Sequence, residues 1–160
     1  MRARAAGLVM AVVTFFPTVA AGQEGGATAS ATDVTREDIN TVLKSMGESI
    51  DRHLKVVDIS IGNVAVGILH SDGDNDSDGA PRGIIHTKVS EMCVMLTGGG
   101  TFLTGGEVVN ATEPSRRGGV MGPTFSGKSR NGVIREISAG DVVVIPAEVL
   151  HGLTLIPDKV

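Results

Sequence analysis

The reading of the fold turns on two segments. The first is His86-Thr87-Lys88-Val89-Ser90-Glu91, with Gly98 standing six residues beyond the Glu. The second is Gly140-Asp141-Val142-Val143-Val144-Ile145-Pro146-Ala147-Glu148-Val149-Leu150-His151. In the first, Thr87–Ser90 reads as a turn, so flanking antiparallel strands can aim His86 and Glu91 to the same side. In the second, Gly140-Asp141 makes a turn and Val142–Ile145 a β-branched strand. Pro146 ends the pairing of that strand because it has no amide hydrogen. His151 then opens the next strand.

The same texture extends outward. Val56–Ile61 and Val64–Leu69 flank the turn signal Gly62-Asn63. Ile84–Val89, Glu91–Leu96, Thr101–Leu103, Glu107–Val109, Gly132–Ile137, Asp141–Ile145 and Leu153–Ile156 follow as short strands. Glycines at 98–100, 105–106 and 118–119 mark corners. Many short strands at this spacing predict an all-β antiparallel sandwich or barrel. Upstream, Thr35 and Asp38 form a capping-box start, and Ile39, Val42, Leu43 and Met46 fall at helical spacing. A helix over 36–50 packing its apolar stripe on the domain is expected.

The two segments resemble the paired signature motifs of the cupin superfamily. His86, Glu91 and Gly98 match the first motif, and Gly140, Pro146 and His151 match the second, all at the family's spacing. The run from Glu91 to Gly106 also looks like the strand–turn–strand of small exported bacterial cupins. The resemblance covers residues 56–156 and implies a jelly-roll barrel with His86, Glu91 and His151 turned inward. Two imidazoles and a carboxylate form a set that holds Fe, Mn, Ni or Zn and leaves coordination positions open. The chain departs from the family pattern at three positions. The first His of the usual pair is Ile84, a usual Gly is Glu148, and an Asn beyond the last His is Leu155.

Composition narrows the partners. The chain of 160 residues suits one domain and has no Trp or Tyr, so its core must be built from Val, Ile, Leu and Met with few Phe. Arg2 and Arg4, the apolar stretch that follows, and the small residues 19–22 read as an export signal cleaved before Gly22 or Gln23. An uncleaved anchor is the alternative, disfavoured by the short run interrupted at Thr14 and Pro17. Losing two Arg and no acid leaves a net charge of about −6. With no exposed aromatics, that excludes nucleic acid as a natural partner. Cys93 is alone, so no internal disulfide forms, and it reads as a small buried apolar residue.

Other candidates are weaker. Asp74, Asp76 and Asp78 open an EF-hand-like loop, but Ile85 stands where the closing acid belongs. Lys88 reads as an exposed turn residue, and Arg130 and Arg135 as solvated charges or an anion hold. Met92 and Met95 read as core or barrel lining. His53 and His70 lie outside the motifs, with His70 a remote substitute ligand.

The expected organisation is a signal peptide at 1–22, a flexible leader at 23–34, an N-terminal helix segment at 35–55 and a cupin barrel at 56–160. The resemblance implies a further closing strand after His151, where only nine residues remain. A homodimer in which a partner supplies that edge, or an incomplete domain, is therefore expected. Two functions fit: a metal-dependent oxygenase, isomerase or lyase on a small polar metabolite, or a non-catalytic cup for a small ligand or metal. Either would be secreted or periplasmic, without membrane contact once the signal is removed.

Overall fold

Val- and Ile-rich runs separated by glycine turns form antiparallel strands, because branched side chains pack well on a pleated surface. The computed structural model describes residues 8–17, 31–47, 51–59, 62–71, 81–114 and 121–155. Among these the protein is mostly β, with eleven strands and one helix. One sheet holds, in spatial order, β10 (Val142–Ile145), β5 (Ser90–Thr97), β1 (Leu8–Pro17), β3 (Gly62–Ser71) and β2 (Asp51–Asp58). The other holds β7 (Glu107–Val109), β8 (Thr124–Arg130), β4 (Arg82–His86), β11 (His151–Leu155), β6 (Gly99–Thr104) and β9 (Val133–Ser138). The paired strands run antiparallel throughout both sheets.

The core lies where the inner faces of the two sheets meet. Met95, Val143 and Ile145 of the first sheet cluster with Phe102, Ile137 and Leu153 of the second. Phe102 is 2% exposed, and burying such a side chain contributes roughly 1.5–3 kcal/mol. Phe102 supplies aromatic bulk where Trp and Tyr are absent from the chain.

The helix α1 (Arg36–Ser45) starts at the expected capping box. Thr35 Oγ1 accepts from the Asp38 amide at 3.1 Å, and Asp38 Oδ2 accepts from the Thr35 amide at 2.8 Å. Ile39, Val42 and Leu43 are half-buried and Met46 is buried, so the apolar stripe does face the domain, against β2 and β3. The helix is shorter than the 36–50 expected. Gly47 takes a left-handed φ of 59° just past its end, a conformation that stops a helix, and Asp51 already belongs to β2.

β2 runs Asp51–Asp58 and not Val56–Ile61, so residues 51–55 belong to the sheet and not to the helix segment; β8 and β1 are strands that the sequence does not announce, and one turn has moved. Gly62 and Asn63 are the first residues of β3, not the turn, and the Ile59 amide donates to the Gly62 carbonyl at 2.9 Å. β8, of sequence Thr-Phe-Ser-Gly-Lys-Ser-Arg, has no branched aliphatic run to announce it. It is strand because it lies between β7 and β4 and both neighbours satisfy its backbone. Leu8–Pro17, read as part of an export signal, is here β1, paired on both edges. The EF-hand-like acids and the proposed cleavage point lie outside the described residues.

The turns that carry the motif glycines explain them. Gly98 and Gly140 have φ of 74° and 96°, which residues with a Cβ rarely adopt. Glu148, where the family pattern has glycine, is held at φ 68° between β10 and β11. Its amide donates to the His86 carbonyl at 2.9 Å, so the strained residue is tied to the strand that ends at His86. A left-handed residue with a Cβ costs about 1–2 kcal/mol. Glu148→Gly is therefore expected to raise the urea midpoint, with a gain of about 1 kcal/mol; an unchanged or lower midpoint would contradict strain at this turn.

Candidate metal centre

Each of the three ligand candidates is positioned by a strand. On β5 the alternation of side chains turns Glu91, Cys93 and Met95 inward and Met92 and Leu96 outward. His86 is the last residue of β4 and His151 the first of β11. These two strands touch at a single registered pair, His151 with Ile84. Two glycines permit that approach. A Cβ on Gly83 would stand 2.6 Å from the His151 carbonyl oxygen, and one on Gly152 would stand 2.9 Å from the Arg82 carbonyl oxygen. With either position occupied, β4 and β11 would have to separate, and the two imidazoles with them.

The three residues are each 7% exposed, and their ligand atoms lie within 4.8 Å of one another. His151 Nε2 is 2.8 Å from Glu91 Oε2, and His86 Nε2 is 3.6 Å from Glu91 Oε1. The outer ring nitrogens are tied down. His151 Nδ1 lies 2.9 Å from the Val149 carbonyl, which can only accept, so Nδ1 carries the hydrogen. His86 Nδ1 lies 2.8 Å from Thr124 Oγ1, whose own hydroxyl reaches the Gly122 carbonyl at 3.4 Å. Thr124 thus donates outward and accepts from His86 Nδ1–H. A neutral ring with this tautomer presents its Nε2 lone pair toward Glu91, which is how an outer partner orients a metal-binding histidine.

The 2.8 Å contact has a consequence. A carboxylate oxygen and an imidazole lone pair repel, so at that distance a positive centre must sit with them: a proton or a metal ion. Burial sharpens the demand, because an uncompensated charge in low dielectric costs several kcal/mol. His86, the other imidazole beside Glu91, resists taking up a proton. It is held below the ordinary imidazole value of 6.5, chiefly because burial disfavours the cation. Glu91 pulls the other way, His151 adds to the lowering, and Asp51 opposes it. Although Glu91 attracts a proton onto His86, desolvation prevails.

A cavity of about 430 Å³ opens over the three residues, a size suited to a small molecule. Met10, Val12 and Leu153 give it apolar walls, while Arg52, Arg82 and Asp51, all exposed, lie along its lining with His53. Ile84 also lines it, on the same side of β4 as His86 and two residues away. Ile84 thus offers the cavity an apolar side chain beside His86 and no ligand atom.

The remaining candidates separate clearly. Gly98, Gly140 and Pro146 shape turns, as expected. Cys93 is 2% exposed and its thiol is pushed up to about 12, first by burial and then by Glu91, which makes it an inert part of the core. Met95 is core, but Met92 is 39% exposed: three residues apart on a strand, the two face opposite ways. Arg130 pairs with Glu107 at 3.1 Å on the surface, and Arg135 is exposed on β9, so neither lines the cavity. Lys88 is exposed. His70 is half-buried on β3 and outside the ligand group.

The sequence reading missed Thr14, Thr124, Gly83 and Gly152. Only the two glycines left a signal, each standing second in a short strand. No protein-family model, curated protein or solved structure matches this chain.

The direction at His86 carries a pH signature. Its folded value is depressed, so its contribution to stability is complete above the unfolded value of 6.5 and is lost as pH falls through the folded value. The urea midpoint of metal-free protein should fall between about pH 7 and pH 5 and fall less in His86→Gln. Parallel pH profiles for the two proteins would show that His86 is not the residue responsible.

Proposed function

We propose that this chain is a small jelly-roll cupin that holds one divalent metal ion on His86, Glu91 and His151 and takes a small polar metabolite into the cavity above it. The observation that carries the reading is the His151–Glu91 contact of 2.8 Å, with both outer ring nitrogens already committed to Thr124 and Val149. Two neutral imidazoles and a carboxylate suit Fe, Mn, Ni or Zn, and two His with one carboxylate leave open positions. Such an ion would polarise a substrate oxygen or activate O₂ as an oxygenase, isomerase or lyase requires. Around it the chain's own residues orient the imidazoles, wall off water with apolar side chains and admit the ligand past Arg52 and Arg82.

A non-catalytic reading, binding a small ligand or metal without turnover, draws on Ile84. With that side chain in the cavity the set has three ligands, and affinity falls with ligand number. Elemental analysis after gel filtration should find about one metal per chain in the wild type. His86→Ala and His151→Ala should lose it, while Ile84→His should tighten binding roughly tenfold or more. Equal metal in wild type and both alanine variants would refute the centre. A substrate screen on loaded protein then separates enzyme from binding cup.

A secreted or periplasmic homodimer completes the reading. On the outer face of the first sheet, Met92, Val142 and Val144 are 39%, 56% and 69% exposed, and Val144 is registered directly opposite Met92. An apolar strip on an edge strand and its neighbour fits a second copy of the chain. Light scattering should give a dimer for the wild type and a monomer for Val144→Asp; a monomeric wild type would remove the dimer from the proposal.

A further inference from the structure

Leu8–Pro17 carries two readings that exclude each other. As an export signal it departs with residues 1–22. In the fold it is β1, registered against β3 from Leu8 with Ser71 to Pro17 with Gly62, and against β5 from Val9 with Thr97 to Phe15 with Ser90. It stands between β3 and β5 in the sheet, so it alone joins β2 and β3 to β5 and β10. Its inward residues Met10, Val12 and Thr14 form one wall of the cavity. Met10 is 4% exposed and part of the main core cluster. Thr14 is 1% exposed, lies directly opposite Glu91 in register, and donates to the Ala65 carbonyl at 3.4 Å.

We propose that residues 8–17 stay in the folded protein as the strand that completes the site cavity, filling a slot between β3 and β5 that accepts an extended apolar strand. A strand in mid-sheet has both rows of backbone groups satisfied. Without it two edges stand bare, each with unpaired N–H and C=O groups, and the wall beside Glu91 is gone. The slot selects its occupant by alternation. Met10 and Val12 meet the inward face opposite Met95 and Cys93 with apolar side chains, and Thr14, opposite Glu91, has its hydroxyl satisfied by the Ala65 carbonyl. Any export directed by Arg2, Arg4 and this apolar run then proceeds without cleavage behind it.

Hydrogen exchange on the full chain, refolded from urea and read by mass spectrometry, tests this directly. The amides of 8–17 should exchange as slowly as those of β3 and β5, on the order of a hundredfold below an unstructured chain. Free exchange across 8–17 with β3 and β5 protected would overturn the proposal. A chain that starts at Gln23 should lose cooperative thermal unfolding and recover it when a peptide of residues 8–17 is added. If that chain melts where the full chain does, β1 is dispensable and the proposal falls. It falls equally if folded protein from the exported fraction begins at Gly22 or Gln23. None of these readouts involves metal, so they remain decisive if the metal reading fails.

Discussion

The buried carboxylate of Glu91, held against two imidazole nitrogens whose far sides are already hydrogen-bonded, sets the terms for everything around it. Negative charge and lone pairs at 2.8 and 3.6 Å need positive charge among them, and burial makes its absence expensive. The surrounding architecture meets those terms by fixing ring orientation. Val149 and Thr124 commit the outer nitrogens, so both rings offer lone pairs inward. A site of this kind could hold a metal ion, and it joins the consecutive strands β4 and β5 to β11, some sixty residues further along the chain.

Bringing those strands together depends on what is missing from them. Gly83 and Gly152 lack the Cβ atoms that would hold β4 away from β11, and the one registered contact between these strands falls on His151 itself. Glu148 is the complementary case. It accepts a left-handed backbone that glycine would adopt without cost, and its amide is bonded to the His86 carbonyl. Strain next to a functional group survives only where surrounding bonds over-determine the conformation. Here the paired strands on either side provide that support.

The first sheet shows how one alternation serves two surfaces. Glu91, Cys93 and Met95 face the core and cavity, while Met92 and its cross-strand partner Val144 face outward. The inner face extends onto β1 through Thr14, Val12 and Met10, each registered opposite one of the inward residues of β5. The cavity wall is thus a property of the whole sheet. The same apolar composition that reads as an export signal is what a mid-sheet strand requires, since both uses call for uncharged residues of high hydrophobicity.

Much was legible in the amino-acid order. Period-two alternation and turn residues identified the mostly β antiparallel character, the capping box identified the helix start at Thr35, and the motif resemblance pointed to the grouping of His86, Glu91 and His151. Local chemistry suffices for the first two, because side-chain alternation, turns and helix caps operate within a few residues. The sequence reading passed over Gly47, the local signal that ends the helix at Ser45, while the placement of Gly62 within β3 was not legible because strand pairing overrode a local turn signal. Nor was β8, whose Ser, Gly and Lys become strand only because neighbours on both sides satisfy its backbone. The tertiary structure alone decided that Leu8–Pro17 lies between β3 and β5, that Ile84 faces the cavity, and that Thr124 and Val149 orient the rings. The β1 pairings and the His86–Thr124 bond join segments distant in the chain, which no local property of either segment encodes, while the Val149 bond to His151 spans only two residues and depends on how β11 is set in the sheet.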